Sequence, residues 1–437
     1  MKLRILLINP WIYDFAAYNL WARPLGLFRV AEYLSAFDVQ LSFIDCMETI
    51  ETETYGTGHY QSEEVPSPEP LKGIRRKFKR YGISPTSFRD RLNNAGNIDL
   101  IVMTSMMAYW YPGIQEAIGI VRNARSDIPI ILGGIYATLY HEHASGHSGA
   151  DFIYRGQVSD ALKFAISTFG FRMKKSCPTR PYYEIFPSGN VSFAPLLTST
   201  SCPFRCSYCA ARLIAGAFEQ RQTDSLMSEI KSLRDAGVTD FAFYDDALLV
   251  NSDKHLKPLL RAVIAQGLHI RFHTPNGLHA GFIDPELAGL MREAGFTTLR
   301  LSLETVNEKR QSMTGGKVNS ADLERAVRAL WQAGFTKREV GVYIMYGLPG
   351  QELDEVRESI SFLMGLGVRI NLTEFSPIRG TQSWDDLISS GVIRDDLDPL
   401  FTNNTIFPLL FSGYDPGDVD KMKLDVKNYN ASRAGTF

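Results

Sequence analysis

Ser201-Cys202-Pro203-Phe204-Arg205-Cys206-Ser207-Tyr208-Cys209 stands directly after the strand-like stretch PLLTST (195–200). Three thiols fall within eight residues, spaced CxxxCxxC. The residues between them are polar or turn-forming, which suits a soft metal centre better than core packing. The whole chain of 437 residues has only five cysteines, too few for a disulfide-built secreted scaffold. A structural zinc takes four protein ligands, and so does a cubane held entirely by protein. No fourth cysteine or histidine follows nearby, since the next histidine is His255. Three ligands on one loop leave a metal position open to a substrate or cofactor.

Working downstream, strand-like runs recur at DFAFYD (240–245), HIRFHT (269–274), TLRLSLE (298–304), EVGVYIM (339–345) and RINLTEF (369–375). Helical patterns lie between them at 222–236, 252–266, 284–294, 319–333 and 351–366. With PLLTST as the first, six β/α units predict a partial (β/α)6 TIM-type parallel barrel over 195–381, because parallel strands need crossover connections. Its chemistry belongs on the loops leaving the C-terminal strand ends, and the cysteine run occupies the first of these. The extension 382–437 shows no repeat.

Upstream, LRILLI (3–8), VQLSFI (39–44), DLIVMTS (99–105), IPIILGG (128–134) and DFIYRG (151–156) alternate with helical patterns at 24–36, at 112–124 and up to about 169. Continuous rather than alternating hydrophobicity marks strands buried on both faces, so residues 1–170 read as an α/β, doubly wound parallel sheet. The stretch 49–97 is poor in apolar residues and reads as an insertion, with the basic run KGIRRKFKRYG (72–82) as a solvated helix face. Residues 171–194 read as a proline-containing linker. Trp11, Tyr13, Tyr109, Trp110 and Tyr111 gather at the expected C-terminal edge of the sheet, either flanking a flat ligand or packing. His141, His143 and His147 form a short histidine cluster. Cys46 and Cys177 are isolated and read as structural.

Composition removes other classes. The 46 basic and 48 acidic side chains give a net charge of −2, with no global attraction to nucleic acid or anionic membrane. No apolar run approaches the roughly 18 residues of a spanning helix. The short apolar N-terminus, ended by Asn9 and Pro10, lacks a signal peptide's longer apolar region, so a cytoplasmic location is expected.

The cysteine spacing, the aromatic Tyr208 before the last cysteine and the place after a first barrel strand resemble the radical S-adenosylmethionine (radical SAM) superfamily. That resemblance implies a [4Fe-4S] cluster on Cys202, Cys206 and Cys209, with S-adenosylmethionine (SAM) chelating the open iron. It also implies SAM contacts at other strand ends: Asp246 after Tyr244-Asp245, Asn276 before Gly277, Ser302 and Glu304, and Ile344 and Gly347 in the stretch ending Leu348-Pro349-Gly350. From the residues alone, Asp245 and Asp246 equally suit helix capping, and Glu304 suits a surface pair with Arg300 or Arg310.

Asn9-Pro10, Arg23-Pro24-Leu25-Gly26-Leu27, Ile44-Asp45 and Tyr154-Arg155-Gly156 are similar to the cobalamin-binding domain that precedes many such barrels. The likeness implies tail-pocket positions at Thr104, Ser105, Gly133 and Gly134. One feature departs from it: the Asp-x-His-x-x-Gly that supplies a cobalt ligand is absent from the loop 9–19. The resemblance implies an enzyme that cleaves SAM reductively to a 5′-deoxyadenosyl radical, with cobalamin-assisted methyl transfer or rearrangement of a small-molecule substrate. A reductant such as ferredoxin or flavodoxin is implied too. The rivals are a radical SAM enzyme without cobalamin, its first domain a lid or substrate domain, and a non-catalytic iron–sulfur or zinc protein.

Overall fold

The computed structural model describes residues 2–48, 58–156, 158, 160–186, 192–313, 315, 316 and 318–432. The chain forms two compact units, Met1–Gly189 with Asp396–Asn403, and Asn190–Asp395 with Asn404–Phe437. No helix among the described residues is long and apolar enough to cross a membrane.

In the first unit, β1 (Leu3–Asn9), β2 (Val39–Asp45), β3 (Leu100–Met103), β4 (Ile130–Leu132) and β5 (Phe152–Ile153) form one parallel sheet in the order β5-β4-β3-β1-β2. The order reverses at β1, so the loops after β1 and β3 border the topological switch point, where such sheets bind ligands. Helix α1 (Leu25–Ser35) connects β1 to β2 and α2 (Tyr111–Ala124) connects β3 to β4, while α3 (Asp160–Thr168) follows β5. Ile5, Leu7, Leu100, Val102 and Ile131 of the sheet pack with Leu27, Ala31 and Leu34 of α1 and Leu162, Ala165 and Ile166 of α3. Each large aliphatic side chain among them contributes about 1.5–3 kcal/mol when fully buried.

Three expectations for this unit need correction. The supposed linker is part of the unit: Phe171, Met173, Ile185 and Phe186 pack on its core, and Tyr182 stacks on Phe28 with ring centroids 4.6 Å apart. Pro181 opens the short helix Tyr182–Ile185 that carries Tyr182 against the core. The basic run is not a helix face either. Lys79–Tyr81 is a strand, antiparallel to both Ile12–Asp14 and Ser62–Glu64. Arg80, 8% exposed, pairs there with Glu63 at 2.5 Å and Glu116 at 3.2 Å. Residues 49–57 of the insertion lie outside the described residues. Third, Cys46 is buried but Cys177 is exposed, its thiol 3.1 Å from the Ser35 carbonyl, so only Cys46 acts as a packed apolar residue.

The edge aromatics are committed to packing. Trp11 is buried and donates to the Ile83 carbonyl at 2.6 Å. Tyr13 bonds Glu116. Trp110 donates to buried Asp14 at 2.6 Å. Asp14 also accepts from Asn403 Nδ2 at 2.9 Å and the Phe15 amide at 2.7 Å. Burial pushes its carboxyl up, and the donors oppose that. Asn403 and Asp398, whose carboxylate accepts from Tyr111 at 3.2 Å, come from the segment Asp396–Asn403. The expected extension therefore does not stay with the barrel throughout.

In the second unit, β6 (Phe193–Leu196), β7 (Asp240–Phe243), β8 (Arg271–His273), β9 (Phe296–Glu304), β10 (Val340–Tyr346) and β11 (Arg369–Glu374) pair in sequence order, all parallel. No pairing among the described residues closes β11 onto β6, so the barrel is partial. Between the strands run α4 (Thr223–Asp235), α5 (Leu256–Ala265), α6 (Pro285–Glu293), α7 (Ser320–Gln332) and α8 (Leu353–Leu366). Capping sets two of their starts: Asp284 accepts from the Leu287 amide at 2.7 Å and Asn319 from the Asp322 amide at 2.8 Å.

Asn403→Ala should destabilise the first unit by about 1–3 kcal/mol, because it strips a donor from the buried Asp14 carboxylate. Urea unfolding followed by circular dichroism measures this, and an unchanged midpoint would contradict it.

Candidate iron–sulfur and nucleotide site

The cysteine loop is clamped at its base. β6 ends at Leu196, short of the expected 200, because the next residues turn onto a buried carboxylate. Asp245, just past β7, accepts from the Thr198 amide at 3.0 Å and hydroxyl at 2.7 Å, and from the Ser199 amide at 2.5 Å and hydroxyl at 2.6 Å. His255 Nε2 lies 2.9 Å from the Thr198 hydroxyl. Ser199–Thr200 then pairs antiparallel with Glu219–Gln220, so the loop leaves and returns side by side. Asp245 thus fastens the loop rather than capping a helix, and Asp246 beside it is exposed. Neither caps α5, which begins only at Leu256.

Within the loop Ser201 adopts φ +63°, in the left-handed region, and donates to the Gly216 carbonyl at 2.7 Å. Cys202 is buried, Cys206 half-buried and Cys209 exposed, and none of the three is in a disulfide. The Cys209 amide donates to the Cys206 carbonyl at 3.1 Å, closing the turn between them. Gly315 abuts this turn: a Cβ there would sit 3.1 Å from Cys206 Cα. The three sulfurs do not gather within 4.8 Å of one another. A single zinc with bonds near 2.3 Å would draw its sulfurs to about 3.8 Å. The three sulfurs are therefore not gathered as a single zinc ion would hold them.

The other residues expected at the strand ends take distinct roles. Glu304 ends β9 at φ +68°, where the register against β10 slips between Ser302 and Glu304. The Tyr208 hydroxyl hydrogen-bonds the Glu304 carboxylate. Burial first, then Glu304, Cys206 and Cys209, raise the Tyr208 phenol well above its usual range. This joins the loop to the β9 end, a link no spacing rule could reveal. Of the two surface partners considered for Glu304, Arg310 bonds Glu355 at 2.7 Å and Arg300 donates to the Leu299 and Glu339 carbonyls.

Ser302 packs on Gly277, where a Cβ would fall 2.0 Å from its hydroxyl oxygen. Asn276 donates to the Tyr244 carbonyl at 3.0 Å, bracing the end of β7. Ile344 is fully buried and pairs with Glu304. Gly347, at φ +85°, faces Pro408 of the helix Ile406–Phe411, 2.9 Å from where a Cβ would stand. The C-terminal segment thus takes up the space this glycine leaves. Thr198, Ser199 and His255 carry no motif, and sequence reasoning missed them.

At the sheet edge of the first unit, Ser105 donates to the Gly133 carbonyl at 2.6 Å. Gly134, at φ +95°, passes so close that a Cβ would lie 2.2 Å from the Ser105 carbonyl oxygen. Gly133 is covered by the Tyr154 ring. Ser105, Gly133 and Gly134 therefore lock one another, while Thr104 is half-buried. Met107 after β3 is exposed by 43%, and Tyr18 and Leu20, in and beside a short strand further along the chain from β1, by 61% and 38%.

Two other clusters have internal explanations. Asp253, Asp284 and Glu286 converge within 4.8 Å, but the Lys257 ammonium sits among them at 2.7–2.9 Å, where a cation would go. His143 accepts or donates at 2.6 Å to Tyr136 and stacks on His147 with ring centroids 4.2 Å apart.

The Radical SAM superfamily model matches residues 196–363. An uncharacterized methyltransferase of Pyrococcus horikoshii is 23% identical over 363 residues, 72% of this chain and 78% of that protein. Bacteriochlorophyllide d C-12(1)-methyltransferase of Chlorobaculum tepidum is 24% identical over 283 residues, 59% of each chain. Among solved structures, the radical SAM methyltransferase TsrM of Kitasatospora setae, with cobalamin and a [4Fe-4S] cluster bound, superposes with a TM-score of 0.62 at 17% identity, covering 89% of this chain and 78% of that one. That likeness covers both units and concerns the fold.

Cys206→Ala should abolish iron and sulfide incorporation on anaerobic reconstitution while the circular dichroism spectrum stays unchanged. Normal iron content in that variant would refute the ligand assignment.

Proposed function

We propose, on the premise that the chain belongs to the radical SAM superfamily, that it is a cobalamin-dependent radical SAM methyltransferase acting on an unactivated carbon or phosphorus centre of a small molecule. The observation that carries the radical SAM part is the trio of unbridged cysteines on a loop clamped to the first barrel strand end, with one metal position left to an incoming ligand. A [4Fe-4S] cluster bound there supplies the electron that splits the SAM sulfonium bond, and a corrin supplies the methyl carrier.

The protein's own part is to hold and to shield. Cys202, Cys206 and Cys209 hold three corners of the cluster. Asp246, Asn276, Ser302 and Glu304 form the rim on which SAM rests, with Glu304 held toward the loop by Tyr208 and with Ile344 and Gly347, both buried, supporting it from beneath. Glu304 is the strongest of these. A carboxylate kept at a strained backbone position, costing of order 1–2 kcal/mol, marks a place where the fold yields stability to binding. Gly347 shapes the rim through Pro408 rather than offering an open face.

For the corrin, support lies at the switch point of the sheet. The exposed apolar Met107 offers a flat ligand the contact that water does not. Thr104 is the polar group available beside it. Ser105, Gly133 and Gly134 fix the shape of the edge. With no histidine in the loop 9–19, a corrin there would receive no imidazole from that loop.

Anaerobically reconstituted protein supplied with SAM, a reductant and hydroxocobalamin tests the reading. Retention of a corrin absorbance after desalting is expected, together with SAM-derived products. Loss of both would end the proposal. SAM cleavage without any retained corrin would assign the first unit to a lid or substrate role instead. Met107→Glu should weaken corrin retention at least tenfold, about 1.4 kcal/mol, and leave iron content unchanged.

Glu304→Gly separates binding from folding. Relief of about 1–2 kcal/mol of backbone strain offsets the lost Tyr208 contact, so thermal stability should hold within about 1 kcal/mol. SAM affinity, read by equilibrium dialysis, should fall at least tenfold. Unchanged affinity would remove Glu304 from the rim.

A further inference from the structure

We infer that the base of the barrel lumen, where Arg300 and Asn371 converge over Gly341, anchors the carboxylate of a small α-amino or α-hydroxy acid substrate. The inference rests on the radical SAM reading and adds a substrate class and an anchoring residue to it.

Strand pairing sets these groups side by side. On β9, Leu299, Leu301 and Leu303 are at most 1% exposed, and the strand packs against α6 and α7. Alternation turns Thr298, Arg300 and Ser302 to the other face, toward the lumen. Residues paired across parallel strands share a face. Arg300 pairs with Gly341 and Gly341 with Arg369, which makes one row across β9, β10 and β11. Ser302, Tyr343 and Asn371 make the next row toward the C-terminal strand ends. Gly341 leaves room between the rows: a Cβ there would lie 2.5 Å from Asn371 Oδ1 and 3.2 Å from Arg300 Nη1.

The charge at this place is not balanced from within. Arg300 is half-buried and donates to the Leu299 and Glu339 carbonyls at 3.0 and 3.2 Å, but no carboxylate among the described residues pairs with it. Arg369, next in the same row, has no carboxylate partner among them either. Burial pulls the Arg300 guanidinium down to about 10, and Arg369 pulls the same way. Asp240, the carboxylate at the start of β7, is already taken by Arg271 at 2.7 Å and His273 at 2.9 Å. Withdrawing a cation from water without an anion is costly, and an incoming carboxylate offsets that cost. The Asn371 amide oxygen is also buried and has no hydrogen-bond partner among the described residues. A guanidinium fork beside an unused acceptor matches a ligand whose carboxylate stands next to an N–H or O–H donor.

The anchor stands at a useful depth. Ser302 is two residues further along the same face of β9, about 7 Å at roughly 3.3 Å per residue, and belongs to the proposed SAM rim. A carboxylate held at Arg300 directs the remaining atoms of a small molecule toward that rim. Tyr343 forms a fixed wall beside this path. Its hydroxyl donates to the Pro275 carbonyl at 2.8 Å, and its ring stands 3.4 Å from where a Gly277 Cβ would be. Arg300 makes and breaks no bond in the reaction. It selects, because a substrate without the carboxylate leaves the guanidinium unpaired.

The test uses full-length, reconstituted protein with SAM and a panel of α-amino and α-hydroxy acids, each beside its primary amide. Saturation-transfer NMR ranks the panel and calorimetry measures the affinities. At least one acid should bind at least tenfold more tightly than its amide. Arg300→Met should lower the affinity for that acid at least tenfold, with iron content and SAM affinity unchanged, and Arg300→Lys should restore part of it. Asn371→Asp supplies an internal carboxylate to the guanidinium. It should raise the thermal midpoint and abolish acid binding, so the inference stays testable if Arg300→Met impairs folding. Equal binding of acids and amides overturns the inference, as does no acid binding at all. So does unchanged acid affinity in Arg300→Met or Asn371→Asp, which would leave Arg300 a structural residue. Inorganic phosphate that binds where no acid does would assign the site to another anion and overturns it too. If the unsubstituted protein takes up no cluster, the radical SAM reading itself fails. That result is distinct from a normal cluster in a protein that does not tell acid from amide.

Discussion

The catalytic face of the second unit depends on one buried carboxylate. Removing Asp245 from water is costly, and four donors from Thr198 and Ser199 offset that cost. Those donors belong to the two residues that would otherwise extend β6. Satisfying Asp245 therefore ends the strand early, turns the chain outward and fixes where the cysteine loop begins. Asn276 bonds the carbonyl beside Asp245, and His255 bonds Thr198, so the ends of β6, β7 and β8 are tied into one network. This network holds the base of the cysteine loop in place.

Above that base, function collects where local rules are broken. Ser201 and Glu304 are non-glycine residues in the left-handed region, one just before the first cysteine and the other facing Tyr208 just before the last. Strain of this kind persists only where surrounding contacts over-determine it. Here the Gly216 carbonyl holds Ser201, and the register slip of β9 against β10 skips Leu303 and sets Glu304 opposite Ile344. Ser201 follows the end of β6 and Glu304 ends β9, so the two strained positions bracket the loop at the same ends of the strands.

The strands of both units were legible because buried parallel strands are continuous apolar runs, and the cysteine spacing was legible because ligands on one turn must be close in sequence. What escaped were contacts between distant residues. Nothing in KGIRRKFKRYG announces that Arg80 will be buried between Glu63 and Glu116, since its three-residue strand exists only by pairing with Ile12–Asp14. The prolines of 171–194 suggested free chain, yet Phe171, Met173, Ile185 and Phe186 supply enough apolar surface to dock it. Asp245 looked like a helix cap because capping is a local habit, whereas its donors lie 46 and 47 positions away. The Tyr208–Glu304 bond is of the same kind.

In the segment Asp396–Asn403 a tertiary contact overrides chain order. It lies beyond the last barrel strand in sequence but belongs to the first unit, because Asn403 and Asp398 supply partners to Asp14 and Tyr111. Without Asn403, Asp14 would be a buried carboxylate short of a donor, at the point where Trp110 enters the edge of the sheet. Neither unit is therefore a continuous stretch of sequence. The sheet whose switch point carries the exposed Met107 is completed by residues made after the barrel's strands.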